Sequence, residues 1–161
     1  ERAKMAIFSS LQFELEGRRV LDLFAGSGQM GLEAVSRGAA HAVLVDQSKD
    51  AVKIIQKNAE KTRLAEDCTV ICSDFAEFLR QRRGKEPFDI VFIDPPYAMR
   101  ACKAAVEALL ENRLLKPHSL LVLESAEPDP LGVGTPLSEK FEVVKSARYG
   151  AAYVNILTPK A

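Results

Sequence analysis

The chain has 161 residues, enough for one domain with a sizeable core. Lysines and arginines total 22, as do aspartates and glutamates, so the net charge is zero, which is unusual for a dedicated nucleic-acid-binding protein. No apolar run is long enough to cross a membrane, and we expect no signal peptide. We therefore expect a globular protein, in which any contact with a polyanion is local.

The three cysteines are Cys68, Cys72 and Cys102. An odd number without close-set pairs argues against a disulfide framework and favours a reducing cytoplasm. The two histidines, His41 and His118, lie far from the cysteines in sequence, so we predict no metal site and interpret the cysteines as buried structural thiols.

Apolar runs alternate with amphipathic stretches along most of the chain. Strands are predicted at residues 19–24, 42–46, 69–72, 89–94 and 119–124, and helices at 29–37, from Ser48 onward, at 75–82 and at 101–110. Continuous apolar strands that alternate with helices indicate an α/β fold with a mostly parallel sheet covered on both faces.

The pattern changes after Glu124. A loop rich in proline and glycine is expected at 126–138, and strands at 141–147 and 152–158 would form an antiparallel hairpin with a tight turn near Gly150. The expected fold is thus a seven-stranded sheet with an antiparallel C-terminal hairpin. A helical stripe of Met5, Ile7, Phe8 and Leu11 predicts an N-terminal helix within residues 1–15, and we expect residues 1–161 to form a single domain.

Acidic residues stand at or just past the ends of the five parallel strands. They are Asp22, Asp46, Asp74, Asp94 and Glu124. Because ligands of open α/β sheets bind at the carboxyl ends of the strands, this arrangement favours a cationic or amine-bearing ligand over a phosphate.

The turn after the first strand contains Phe24, Ala25, Gly26, Ser27 and Gly28. With Gly31 it matches G-x-G-x-x-G, and Asp46 follows where a ribose-binding acid is expected. Glycines there let the backbone approach a ligand closely. By itself the motif is typical both of dinucleotide enzymes and of methyltransferases.

The fourth strand ends in Asp94, Pro95, Pro96 and Tyr97. Two prolines cannot continue a central strand, so they would fix a rigid backbone that presents the Asp94 carboxylate and the Pro95 carbonyl to one point. Both groups accept hydrogen bonds, an amino group offers two donors, and Tyr97 offers a face on which a base can stack. The motif therefore predicts a clamp for a planar ring that bears an amine, with these four residues as the catalytic group.

Asp74 follows Ser73 at the end of the third strand and precedes Phe75. Asp74 could cap the next helix, or it could accept a hydrogen bond from an adenine amino group while Phe75 packs nearby. The two roles are compatible. For Glu124 an ordinary loop-facing position is an equal alternative.

These motifs together resemble class I methyltransferases, which have a Rossmann-like fold and bind S-adenosylmethionine. Residues 20–28 look like their cofactor motif, and 94–97 look like the D/N-P-P-Y/F/W motif of enzymes that methylate amino nitrogens. Residues 2–11, 21–38, 91–97 and Tyr149-Gly150 are similar to the RsmD-type family, which methylates guanine N2 in small-subunit (16S) ribosomal RNA. One departure is Asp46, where the family often has Glu.

The resemblance implies a cytoplasmic S-adenosylmethionine-dependent enzyme whose partner is ribosomal RNA or the assembling small subunit. The implied cofactor-binding residues are Asp22, Phe24, Ala25, Gly26, Ser27, Gly28, Asp46, Gln47, Ser73, Asp74, Phe75 and Asp94. In that family a basic arm precedes the N-terminal helix, and we expect this arm to lie outside the present sequence.

Four alternatives stay open at this point. A DNA adenine-N6 methyltransferase would use the same clamp, although those enzymes usually carry a recognition domain. A methyltransferase of glutamine side chains is disfavoured because such enzymes favour Asn where Asp94 stands. An NAD-dependent oxidoreductase would leave the clamp residues unused, and a non-catalytic RNA-binding module would bind the cofactor without transferring a methyl group.

Overall fold

The computed structural model describes residues 2–96 and 101–161. In that part of the chain, seven strands form one sheet: β1 (Arg19–Asp22), β2 (His41–Asp46), β3 (Cys68–Cys72), β4 (Phe88–Ile93), β5 (Leu115–Ser125), β6 (Phe141–Tyr149) and β7 (Ala152–Pro159). Five α-helices are described: α1 (Arg2–Leu11), α2 (Gln29–Ser36), α3 (Lys49–Lys61), α4 (Phe75–Gln81) and α5 (Cys102–Glu111). Short 3₁₀ helices occupy Ala65–Asp67 and Ser138–Lys140.

The strand order in the sheet is β3-β2-β1-β4-β5-β7-β6. The first five of these are parallel, whereas β7 runs antiparallel to both β5 and β6. The predicted mostly parallel sheet with an antiparallel C-terminal hairpin is confirmed. The order reverses at β1, which places the ends of β1, β2 and β4 around one crevice.

Side chains alternate between the two faces of each strand, so the sheet has a core on each side. On one face α1, α2 and α3 pack against the strands, with Phe8 and Phe92 in ring contact at 5.8 Å between centroids. On the other face α4 and α5 pack against the alternate strand residues. The helices therefore cover both faces, as the continuous apolar strands predict.

Three local expectations are wrong. Met5 is 70% exposed, because the buried stripe of α1 is formed by Ala3, Ile7, Phe8 and Leu11. Cys72 is exposed, since β3 is an edge strand covered on fewer sides, whereas Cys102 is buried. Strand β5 begins at Leu115 rather than at Ser119.

Candidate active site

A cavity of about 970 Å³ opens at the carboxyl ends of β1, β2, β4 and β5. Among the described residues, its walls include Asp22, Phe24, Ala25, Gly26, Ser27, Asp46, Gln47, Ser73, Phe75, Asp94, Pro95, Pro96 and Glu124. The structure thus brings together most of the site residues predicted from widely separated motifs. This volume lies at the upper end of the range typical of small-molecule and cofactor sites.

The turn between β1 and α2 forms the floor of the cavity. Gly26 has a φ of +58°, and a Cβ on it would meet no atom within 4 Å, so its backbone faces open space. Gly28 lies beneath the turn as the N-cap of α2 and packs against Ile55, and it is not part of the cavity wall. A Cβ on Gly31 would lie 2.7 Å from Leu44 Cδ2, so this glycine permits the close approach of α2 to β2.

Asp46 stands at the end of β2 and is held by the backbone on both sides. Its Oδ2 accepts a hydrogen bond from the Gly26 N–H at 2.9 Å, and its Oδ1 accepts one from the Ser48 N–H at 2.9 Å. A carboxylate oxygen can accept two hydrogen bonds, so each oxygen keeps capacity for a ligand hydroxyl. The arrangement fixes the carboxylate in position at the rim of the cavity.

Asp22 is the deepest carboxyl of the site. It is 3% exposed, and its Oδ2 accepts a hydrogen bond from the Gly31 N–H at 2.9 Å. Burial, which the Gly31 hydrogen bond opposes and the charge of Asp46 assists, raises the pKa of Asp22 to about 7. Near neutral pH this group is therefore divided between its protonated and ionised forms.

The aromatic rings of Phe24 and Phe75 meet at one side of the cavity. Their centroids are 5.2 Å apart with an interplanar angle of 51°. Ser73 also belongs to the cavity wall, whereas Asp74 does not: its side chain accepts the Glu77 N–H at 3.1 Å and caps α4. The capping role is thereby shown, and an interaction of Asp74 with adenine stays a prediction.

The predicted clamp lies at the opposite side of the cavity from β2. Asp94, Pro95 and Pro96 follow β4 directly, all three contribute to the wall, and Asp94 is exposed. Tyr97, the fourth predicted catalytic residue, lies outside the described residues.

Several wall residues could not be found by motif. Lys4 reaches the cavity from α1 and pairs with Glu33 at 3.3 Å, and Cys102 and Lys103 enter from the start of α5. Asn58 of α3 donates a hydrogen bond of 3.0 Å to the Ser27 carbonyl and so holds the glycine turn from outside. Burial, together with the charges of Asp94 and Glu127, raises the pKa of the Cys102 thiol to about 12. Cys102 is therefore an uncharged part of the wall and not a nucleophile.

The charges of the wall are unbalanced. In the described ranges two amines belong to the wall, those of Lys4 and Lys103. The carboxyl groups of the wall are more numerous: Asp22, Asp46, Asp94, Glu124 and Glu127. Such a wall favours a ligand with positive charge and hydroxyl donors. The sulfonium, ammonium and ribose hydroxyls of S-adenosylmethionine fit this description, and the open backbone at Gly26 leaves room for the ligand.

No group of three or more potential metal ligands was found among residues 2–96 and 101–161. In the same ranges, none of the helices has the length and apolar character needed to cross a membrane.

Comparison with known proteins gives a consistent result. The model of the family described as "Conserved hypothetical protein 95" matches residues 1–158. The chain belongs to this family. It is 33% identical over 132 residues to the ribosomal RNA small subunit methyltransferase D of Haemophilus influenzae, covering 81% of this chain and 68% of that protein. It is also 33% identical to the putative rRNA methyltransferase YlbH of Bacillus subtilis, covering 77% and 68% respectively.

The fold is shared with solved structures of the same kind. The putative methyltransferase yhhF from Escherichia coli superimposes with a TM-score of 0.87 at 28% identity, covering 100% of this chain and 88% of that one. The predicted RsmD-type family, the class I methyltransferase fold and an S-adenosylmethionine-dependent enzyme are confirmed at the level of the family. The roles of individual site residues stay predictions.

Proposed function

We propose that this chain transfers the methyl group of S-adenosylmethionine to the exocyclic N2 of a guanine in small-subunit ribosomal RNA. The observation that carries the proposal is that Asp94, Pro95 and Pro96 share one cavity wall with Gly26 and Asp46. One cavity thus brings the residues predicted to hold the cofactor beside those predicted to clamp an amine. The names of the relatives, which are ribosomal RNA methyltransferases, support the choice of substrate.

The glycine turn and Asp46 would hold the cofactor. Asp46 is positioned by the N–H groups of Gly26 and Ser48, so its remaining acceptor capacity points to the two ribose hydroxyls. Phe24 and Phe75 would flank the adenine ring, beside Ser73 and Gln47. When bound, S-adenosylmethionine supplies an electrophilic methyl group on a sulfonium.

The clamp residues would prepare the nucleophile. The amino nitrogen of guanine is weakly nucleophilic because its lone pair is drawn into the ring. The Asp94 carboxylate and the Pro95 carbonyl would accept hydrogen bonds from its two N–H groups. These bonds would favour a more tetrahedral nitrogen and direct its lone pair toward the methyl group. As the N–C bond forms and the C–S bond breaks, Asp94 can accept the proton that the nitrogen loses.

Positioning of the two reactants is expected to contribute to the rate. Alignment of two bound reactants can supply about 7–11 kcal/mol of the barrier in favourable cases. The rigid prolines serve this purpose, because they restrict the backbone that carries Asp94. Tyr97, known here from the sequence alone, would stack on the target base after it leaves its helix.

The wider assignments rest on the same proposal. Residues 1–161 would form a single methyltransferase domain, since the described helices cover both faces of one sheet. Ribosomal RNA or the assembling small subunit would be the partner, and the cytoplasm would be the place of action.

The proposal can be tested on the cell's own RNA. Nucleoside mass spectrometry of small-subunit ribosomal RNA from cells that lack this protein should show the loss of one N2-methylguanosine, and purified protein should restore it in vitro. Transfer to adenine N6 of DNA, with unchanged ribosomal RNA, would instead favour the alternative amino-methyltransferase.

A further inference from the structure

The tip of the C-terminal hairpin lies at the same edge of the sheet as the cavity. Because β7 runs antiparallel to β5, its first residues lie beside the last residues of β5, and Tyr153 pairs with Ser125. Ser125 and Ala152 both contribute to the cavity wall. Arg148 and Tyr153, which are not among the wall residues, are thus near neighbours of the site.

Two side chains at this tip form a cation–π pair. Arg148 of β6 stands opposite Tyr153 of β7 in the register, and its guanidinium carbon lies 5.4 Å from the centre of the Tyr153 ring. The Arg148 Nε donates a hydrogen bond of 2.8 Å to the Gly150 carbonyl. The ring and the turn together therefore restrain the guanidinium.

The restrained guanidinium is exposed. Within the described residues, Arg148 has no acidic partner within ion-pair distance, and its two terminal nitrogens make no hydrogen bond. An arginine whose guanidinium lies over an aromatic ring, and whose terminal nitrogens make no hydrogen bond, offers both a plane on which a base can stack and a ligand for a phosphate.

The chain as a whole is neutral, so attraction to a polyanion must come from such local cations. A basic segment at residues 80–85 contains Arg80, Arg82, Arg83 and Lys85. Arg80 is paired with Glu77, and Arg83 donates to the Glu111 carbonyl at 2.5 Å, so two arginines of this segment are already engaged. That segment also leads to the start of β4, at the edge of the sheet opposite the cavity. Arg148 at the hairpin tip is therefore better placed than this segment to bind RNA near the cavity.

We propose that Arg148 and Tyr153 form a platform that binds an unpaired nucleotide next to the target base. This rests on the proposed function, since it assumes an RNA substrate in the neighbouring cavity. Single-stranded RNA is commonly bound by stacking of its bases on aromatic rings and on arginine planes. The terminal nitrogens of Arg148 would at the same time bind the adjoining phosphate.

The test compares Arg148→Ala with Lys85→Ala, which removes one exposed cation at the opposite edge of the sheet. Binding of deproteinised small-subunit ribosomal RNA from cells lacking the protein is measured by filter retention between 50 and 200 mM salt, a range chosen around physiological conditions. Arg148→Ala should weaken binding about tenfold or more and reduce the salt slope by about 0.7, the value for one phosphate contact. Arg148→Lys should keep the slope but lose part of the affinity, since the charge remains and the stacking plane is lost.

Adenosylhomocysteine affinity should be the same for all these proteins, and Arg148→Ala should lose no more stability than one exposed cation–π contact supplies, which separates RNA contact from a structural role. Equal RNA affinity and slope for the parent and Arg148→Ala, with the parent active on ribosomal RNA, would overturn the platform alone. A parent that neither binds nor methylates ribosomal RNA would overturn the platform and the proposed function together.

Discussion

The carboxylate of Asp46 accepts a hydrogen bond of 2.9 Å from the backbone N–H of Gly26, twenty positions earlier in the chain. This bond joins the end of β2 to the turn after β1, the two segments expected to hold opposite parts of one cofactor. A ligand that occupies the turn is thus in reach of the acid.

Asp46→Ala should act mainly on cofactor affinity. It removes two hydrogen bonds to a charged group from the ribose, at about 1.5–3 kcal/mol each, so adenosylhomocysteine should bind at least roughly a hundredfold weaker. Isothermal titration checks this, with Asp50→Ala as an exposed acidic control in the first turn of α3. Unchanged affinity in Asp46→Ala would show that another group binds the ribose.

Gly26→Ala and Gly84→Ala form a matched pair. Both glycines have positive φ, at +58° and +73°, and neither has an atom within 4 Å of a new Cβ. Each substitution should lower the free energy of unfolding by about 1–2 kcal/mol, because an alanine is strained in this conformation. Only Gly26→Ala should also weaken adenosylhomocysteine binding, since its methyl group enters the cavity. Equal cofactor affinities in the two variants would remove the turn from the binding site.

Asp22 should make the protein less stable as the pH rises. Its pKa in the folded state is raised from 3.8 to about 7, so between these values the folded state binds the extra proton and stability falls with increasing pH. Asp22→Asn keeps an acceptor for the Gly31 N–H but cannot ionise. The stability advantage of the variant over the parent should therefore grow by about 2–3 kcal/mol between pH 5 and pH 8.

Urea denaturation at several pH values measures this difference, and comparison with the variant cancels the titration of the other carboxyl groups. A constant difference from pH 5 to pH 8 would mean that Asp22 has an ordinary pKa and is solvated in the free protein.

The cysteines should differ sharply in reactivity. Cys72 is exposed, whereas Cys102 is buried and has its pKa raised to about 12, which leaves almost no thiolate at pH 8. Iodoacetamide at pH 8, followed by peptide mass spectrometry, should label Cys72 well before Cys102. Fast labelling of Cys102 in the folded protein would show that the cavity wall opens there.

The sequence predicted most of the sheet because buried parallel strands are continuously apolar. The beginning of β5 was missed because Lys116, Pro117 and His118 are polar or lack the backbone donor of a regular strand. In the structure, Ser119 Oγ accepts the Lys116 N–H at 2.7 Å and donates to the Phe88 carbonyl at 2.6 Å, and it bridges the irregular register there. A bridge formed by one side chain produces no periodic pattern in the sequence from which a strand could be predicted.

The same reasoning explains which parts of the site were predictable. Gly26, Asp46 and Asp94 belong to short motifs whose chemistry can be understood locally. Lys4, Asn58 and Cys102 reach the site through tertiary packing of α1, α3 and α5, and nothing in their neighbours along the chain indicates it. The sequence allowed two roles for Asp74, as a helix cap and as a ligand-binding residue. The structure shows that it caps α4.

The central claim is that Asp94 acts mainly on the amine, although the resemblance also places it among the cofactor-binding residues. The most direct measurement is the single-turnover rate of methyl transfer to ribosomal RNA by Asp94→Ala, with adenosylhomocysteine affinity measured on the same protein. Asp67→Ala, an exposed acid before β3 at the other edge of the sheet, is the control. Loss of a hydrogen bond to a charged group costs about 1.5–3 kcal/mol, so the rate for Asp94→Ala should fall at least about tenfold while its cofactor affinity stays near that of the parent. A near-parental rate, or a loss confined to cofactor binding, would contradict the account.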